Sequence, residues 1–86
     1  MYNLSKDIRL KHDETSDNYY LFCIKTGKHF SLNIMSYEIL RLLEQGKDRD
    51  TIIQFISDNY DTDQTTCAED VDEFFRFLQK NGMLHC

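Results

Sequence analysis

The sequence predicts an α+β domain in which a three-stranded antiparallel sheet is followed by three helices. Three observations predict this class. The first third of the chain alternates apolar and polar residues with the period of two that half-buried strands show. The remaining two thirds repeat apolar residues at helical spacing, with glycines where helices would end. A chain of 86 residues has surface enough for only one core, so residues 1–86 are expected to form a single domain.

Three segments are expected to form strands, at about residues 6–12, 19–25 and 28–33. Ile8 to His12 alternates apolar with polar side chains, and Tyr19 to Ile24 is dense in aromatic and β-preferring residues. The polar segment from Asp13 to Asn18 between them is rich in turn formers. Gly27 suits a tight turn before the third strand. The segments are therefore expected to pair in chain order as an antiparallel meander.

Three segments are expected to form helices, at about residues 34–46, 48–60 and 66–82. Either Asn33 or Ser36 can cap the first helix, and Gly46 lies where that helix would end. Thr66 resembles the N-cap of the last helix, because Glu69 follows it at the spacing of a capping box. The tail after the last helix is expected to fold back onto the core.

The net charge of −5 is unevenly distributed along the chain. Residues 1–33 carry five Lys or Arg and four acids, whereas residues 34–86 carry five bases and eleven acids. A nucleic-acid partner requires clustered Lys and Arg to neutralise its phosphates, so no nucleic-acid partner is expected. No apolar run is long enough to span a bilayer, so no membrane partner is expected either.

Neither the cysteines nor the histidines form a recognisable chemical site. The cysteines are odd in number and lack the ligand spacing of a zinc site: Cys23, Cys67 and Cys86. The histidines lie in separate predicted elements: His12, His29 and His85. No catalytic residue, metal site or cofactor is therefore expected, and the cysteine usage favours a reducing compartment such as the cytoplasm.

An ordered series of short motifs runs along nearly the whole chain. It comprises a turn glycine, a strand that ends in Leu-Asn, two apolar helices and an aromatic last helix: Gly27, Leu32-Asn33, Ile39 to Leu43, Gly46, Thr51-Ile52-Ile53, Asp70-Val71, Phe74-Phe75, Leu78, and Gly82 with Leu84. In this order the motifs resemble the PqqD-like family. Its members are the RiPP recognition elements, where RiPP stands for a ribosomally synthesised and post-translationally modified peptide. Each motif alone is common, so the resemblance depends on their order.

The resemblance implies a winged-helix-like fold in which the third strand and the last helix bound a groove. It also implies that the leader region of a precursor peptide binds there as an added strand. The chain itself would be no enzyme. A separate maturation enzyme, such as a radical SAM enzyme, a cyclase or a leader peptidase, would modify the bound peptide.

The expected peptide-binding residues come from the third strand and the last helix: Lys28, His29, Phe30, Ser31, Leu32, Asn33, Asp72, Phe75, Arg76 and Gln79. On the strand, Phe30 and Leu32 share one face and are expected to point to the core. Main-chain hydrogen bonds along the strand edge would supply affinity, and pockets for alternate side chains would supply selectivity.

The last helix leaves two interpretations open. Its expected core stripe is Val71, Phe74 and Leu78, and Phe75 lies beside that stripe. Phe75 either forms the apolar floor of the groove or widens the core face. The two basic side chains of this helix, Arg76 and Lys80, can pair with leader carboxylates or with the helix's own acids Asp72 and Glu73.

Two other functions remain as alternatives. The fold is compatible with a winged-helix nucleic-acid-binding or regulatory module, although the last helix opens with four acids rather than bases: Glu69, Asp70, Asp72 and Glu73. The same strand edge can instead pair with another protein or with a second copy of the chain, which would give a homodimer.

Overall fold

A computed structural model of the chain describes residues 3–85, and Cys86 lies outside these described residues. The strands are β1 (Asn3–Leu4), β2 (Ile8–Asp13), β3 (Asn18–Cys23), β4 (Lys28–Leu32) and β5 (Leu84–His85). The helices are α1 (Ile34–Glu44), α2 (Arg49–Tyr60) and α3 (Gln64–Lys80). The predicted order of three strands followed by three helices is confirmed.

The main sheet is an antiparallel meander in the order β2-β3-β4. Its register pairs Leu10 with Leu21 and Leu21 with Phe30, so one apolar row crosses all three strands. β3 ends at Cys23, earlier than the sequence predicts, because the next four residues form the turn to β4. In that turn Gly27 has a φ of +72°, and its N–H donates to the carbonyl of Cys23 at 2.9 Å. The left-handed conformation explains why glycine occupies this position.

A second, two-stranded sheet joins the two ends of the described chain. β1 pairs antiparallel with β5, with Asn3 opposite His85 and Leu4 opposite Leu84. Sequence periodicity did not predict it, since a two-residue strand is too short to show a period of two. Met83 and Leu84 are 1% and 2% exposed, which confirms that the tail folds back onto the core.

Each helix begins at an Asn or Asp whose side chain accepts a backbone N–H three residues later. Asn33 accepts from Ser36 at 2.8 Å, so Asn33 is the cap of α1. For α3 the expected N-cap Thr66 is wrong. The cap is Asp63, whose Oδ1 accepts the N–H of Thr66 at 2.8 Å, and the helix begins at Gln64. The Asp63 carboxylate satisfies a free N–H of the first turn, so Thr66 lies inside the helix.

The core lies between the helices and one face of the main sheet. α1 packs on β3 and β4, and α2 packs against α3. The buried residues come from β2, β3, all three helices and the tail: Ile8, Leu21, Cys23, Ile39, Leu40, Leu43, Ile52, Ile53, Ile56, Cys67, Val71, Phe75, Leu78, Met83 and Leu84. Phe30 and Leu32 pack against this cluster while half-buried, which confirms the face expected for them. Among the described helices, none has the length and apolar character needed to cross a membrane.

Candidate functional site

β4 lies at one edge of the main sheet and has a free outer side. Its inner side pairs with β3, and no other strand within residues 3–85 pairs with it. In an antiparallel strand every second residue directs its N–H and C=O groups away from the paired neighbour. β4 therefore presents backbone donors and acceptors that can pair with a further strand.

An aromatic cluster borders this edge. The rings of Phe30 on β4 and Phe77 on α3 meet edge to face, with centroids 5.4 Å apart and planes at 85°. Phe74, one turn earlier on α3, stacks with Phe77 at a centroid distance of 6.0 Å and an interplanar angle of 14°. All three rings are only half-buried. They form an apolar surface that solvent still reaches.

Two adjoining depressions follow β4 and α3, and we call them together the β4–α3 groove. The first, of about 570 Å³, is lined by His29, Phe30, Ser31, Leu32, Asn33, Ser36, Phe74 and Phe77. The second, of about 380 Å³, is lined by Asn33, Met35, Ser36, Ile39, Asp70, Glu73, Phe74 and Phe77. They share four lining residues, so the groove is continuous from β4 to the start of α1.

Five of the six residues expected on the strand line this groove, in the run from His29 to Asn33. Lys28 is exposed at the start of β4 and is not among the lining residues. Asn33 has a second task, since its side chain caps α1. The strand half of the expected site therefore coincides with a groove wall.

The helix half of the expected site lies elsewhere. Phe75 is 2% exposed and belongs to the core, so its interpretation as the groove floor is wrong and the core interpretation is correct. The groove face of α3 carries Phe74 instead, together with Phe77. Two adjacent phenylalanines both fitted a broad apolar stripe, and only the packing of α3 on the core decided which one faces inward.

Asp72 faces α2 rather than β4. Its two carboxylate oxygens accept from the Arg49 guanidinium, at 2.6 Å from Nε and 2.8 Å from Nη2. This bidentate contact is the main reason that the pKa of Asp72 is lowered, and the nearby charge of Arg76 adds to it. The structure thus supplies a partner on α2, where the sequence suggested Arg76, Lys80 or a leader peptide.

Arg76 and Gln79 do not line the groove either. With Asp72, they lie across the core stripe of α3 from Phe74 and Phe77, as the helical period requires. Sequence reasoning missed seven groove residues: Met35, Ser36, Ile39, Asp70, Glu73, Phe74 and Phe77. Phe77 was the residue that could have been found from the sequence. It lies off the expected core stripe, and an aromatic side chain in that position is expected to pack on an apolar neighbour outside the core.

The described histidine and cysteine side chains do not form a shared site. His12 Nε2 lies 3.0 Å from Asp17 Oδ1, and its ring stacks on Tyr19 with centroids 4.3 Å apart. Cys23 and Cys67 are free thiols and both are buried. Across the described part of the chain, no group of three or more His, Cys, Asp or Glu side chains could hold a metal ion.

The fold and the groove define a winged-helix-like α+β domain with an open edge strand beside an aromatic helix face. The family model for coenzyme PQQ synthesis protein D (PqqD) matches residues 18–84. The chain therefore belongs to the PqqD family, as the ordered motifs indicated. No curated protein sequence matches it.

Three solved structures share the fold. TbiB1 in complex with the TbiA(β) leader peptide is 29% identical, with a TM-score of 0.85 over 96% of this chain and 94% of that one. Lasso peptide synthetase B1 complexed with the leader peptide is 21% identical, with a TM-score of 0.83 over 99% and 98%. The PqqD truncation of Methylobacterium extorquens PqqCD, described as a stand-alone RiPP recognition element, is 21% identical, with a TM-score of 0.80 over 99% and 88%.

Proposed function

We propose that this chain binds the leader region of a ribosomally synthesised precursor peptide as an added strand on the outer edge of β4. The observation that carries the proposal is the free edge of β4 beside the half-buried rings of Phe30, Phe74 and Phe77. Main-chain hydrogen bonds to the edge supply affinity with little demand on sequence, and the groove selects side chains at alternate positions.

The comparisons support this function from two directions. The chain belongs to the PqqD family, and the structure of TbiB1, which is 29% identical, is that of a complex with a leader peptide. The two structures at 21% identity support the fold on which the groove is built. The nucleic-acid alternative lacks comparable support, since the groove face of α3 carries Asp70 and Glu73, whose charge repels phosphate.

The chain is proposed to do no chemistry of its own. Holding the leader raises the local concentration of the peptide's core region at a separate cytoplasmic enzyme, such as a radical SAM enzyme, a cyclase or a leader peptidase. The peptide-binding residues are proposed to be the groove-lining run of β4, His29 to Asn33, with Phe74 and Phe77 replacing the α3 residues expected from the sequence.

An NMR titration tests the site. Candidate leader peptides are taken from short open reading frames near this chain's gene. A leader that binds ¹⁵N-labelled protein should shift the amides of His29 to Asn33 and of Phe74 and Phe77. Amides on the exposed side of α2, such as Gln54 and Asp58, should stay unchanged because neither residue lines the groove. A bound leader that leaves the β4 amides unmoved would contradict the proposed site.

A second experiment tests strand addition itself. Two leader peptides are N-methylated at alternate backbone amides, one set shifted by one residue from the other. Only methyl groups that face β4 block the ladder, so the two peptides should differ in affinity by about tenfold or more, given about 1 kcal/mol for each hydrogen bond lost. Equal affinities would show that the peptide does not bind as a strand.

Light scattering with and without leader tests whether the same edge also pairs two copies of the chain.

A further inference from the structure

The β4–α3 groove has an acidic end. Asp70 and Glu73 line it beside Phe74 and Phe77, and both carboxylates are exposed. Neither forms a salt bridge with any residue in the range 3–85. Asp72, which lies between them in the chain, is bound by Arg49. Arg49 of α2 therefore neutralises the carboxylate of Asp72, whereas within residues 3–85 no cation pairs with the two groove carboxylates.

The described lining of the groove offers little positive charge to offset these two carboxylates. Neither Lys nor Arg is among the described residues that line the two depressions. The other titratable side chain there is His29, at the opposite end on β4. A bound segment therefore meets apolar rings in the middle of the groove and negative charge at the end formed by Asp70 and Glu73.

The spacing on α3 fits an extended segment. Asp70, Glu73 and Phe77 share one helix face, and Glu73 precedes Phe77 by four residues, about 6 Å along the helix axis. In a strand, side chains on one face recur every two residues, about 6.7 Å apart. For a segment that runs along the α3 axis, a side chain that packs on Phe77 therefore has its second neighbour near Glu73. Asp70 precedes Phe77 by seven residues, about 10.5 Å along the axis, and four strand residues span about 13.4 Å. The flexible stem of a Lys or Arg four residues away can cover the difference of about 3 Å.

From these observations, and resting on the proposed function, we infer that the groove selects leader segments in which a Lys or Arg stands two or four residues from an apolar anchor. The anchor packs on the rings of Phe30 and Phe77, and the cation lies against Asp70 and Glu73. A Lys or Arg stem can also cover the exposed part of Phe74 while its charge reaches the carboxylates. The class of ligand is a basic, apolar-anchored extended peptide.

General attraction by a chain of net charge −5 is the competing explanation, and a matched variant separates the two. D70N/E73Q removes two groove carboxylates. E44Q/E69Q removes two exposed carboxylates that do not line the groove, so the net charge changes by the same amount. Only the first variant should lose the preference for a cation at a fixed distance from the anchor.

The experiment is a selection from a displayed library of random twelve-residue peptides on the full immobilised chain, repeated on both variants. Peptides enriched on the wild type should carry Lys or Arg two or four positions from an apolar residue, and they should shift the β4 amides by NMR. Their affinity should fall about three- to tenfold on D70N/E73Q, as expected for two exposed ion pairs, and little on E44Q/E69Q. The loss should shrink in 1 M salt, where the screening length falls to about 3 Å.

The outcomes distinguish the two proposals. Enriched peptides that shift the β4 amides without a placed cation, or that weaken equally on both variants, would overturn the inference and leave leader binding in place. A library that yields no peptide able to shift the β4 amide resonances would count against both leader binding and the preference for a cation. In a charge-reversal test, the D70K/E73K variant should select Glu rather than Lys at the same peptide positions. An unchanged preference for Lys would overturn the inference.

Discussion

Two faces of α3 are formed by neighbouring residues and have different roles, one in the core and one in the groove. The core face buries Phe75 at 2% exposure, along with Val71 and Leu78. The groove face leaves Phe74 and Phe77 half-buried against Phe30. Burial on the first face stabilises the fold, whereas the accessible rings of the second face offer apolar area to a ligand. Stability and recognition are therefore separable on one helix by substituting adjacent residues.

The largest expected effect is on the core face. Phe75→Ala should lower the free energy of unfolding by about 3–5 kcal/mol, because it removes a fully buried ring and leaves a cavity. Phe74→Ala should cost markedly less, since solvent already reaches part of that ring. Urea denaturation of both variants measures the two losses. Equal losses would break the distinction between the faces.

The groove face should show the opposite behaviour. Phe77→Ala removes the ring that contacts both Phe30 and Phe74, so leader affinity should fall about tenfold or more, the size of an interface hot spot. Its unfolding free energy should change less than that of the Phe75→Ala variant. Phe55→Ala is the matched control, because Phe55 is 37% exposed on α2 and outside the groove. Calorimetric titration gives both affinities, and a similar loss for both variants would contradict the site.

The acids of α3 sharpen the comparison at a smaller scale. Asp72→Asn should destabilise the chain by about 0.5–1 kcal/mol near neutral pH, since its half-exposed pair with Arg49 is screened by solvent. The folded-state pKa of Asp72 is lowered, so its contribution is present above the unfolded pKa near 3.9 and is lost as the pH falls through the folded pKa. Asp70→Asn should leave stability nearly unchanged. Urea melts between pH 3 and 7 measure both, and a pH-independent difference between wild type and D72N would contradict the ion pair.

The smallest effect concerns the two buried thiols. Hydrogen bonds from Thr26 lower the pKa of Cys23 in the turn before β4, whereas burial raises the pKa of Cys67 on α3. In a Cys86→Ser background, iodoacetamide should therefore alkylate Cys23 first, and at lower pH than Cys67, because the thiolate is the reactive form. Mass spectrometry of peptides identifies the site. Faster labelling of Cys67 would contradict the assignment of the more protected position to α3.

Local signals decided most of the secondary structure. Asn33 was a candidate cap from its residue type, and its side chain does accept the N–H of Ser36. Gly46 follows α1 with a φ of +82°, the left-handed conformation that terminates helices. The expected start of α3 is three residues late, because the capping-box spacing of Thr66 and Glu69 favoured Thr66, whereas Asp63 caps the helix. These features depend on a few consecutive residues, so errors stayed within one helical turn.

The candidate site was predicted on β4 and misplaced on α3 for a physical reason. A strand alternates with a period of two, so the face of Phe30 and Leu32 follows once one neighbour is known to be buried. A helix with a broad apolar face permits several rotations about its axis. The contacts that fix α3 come from residues distant in sequence, including Arg49 on α2 and Phe30 on β4.

By itself the sequence determined the fold class, the order of three strands and three helices, and the ordered motifs of the PqqD family, because each follows from periodicity or from residues close in the chain. Only the tertiary structure decided that Phe74 faces the groove and Phe75 the core, and that β1 pairs with β5. It also decided that Asp72 pairs with Arg49, whereas Asp70 has no ion pair within the described part of the chain. Those outcomes depend on contacts between residues that are far apart in the sequence, and the pattern of neighbouring residues does not determine such contacts.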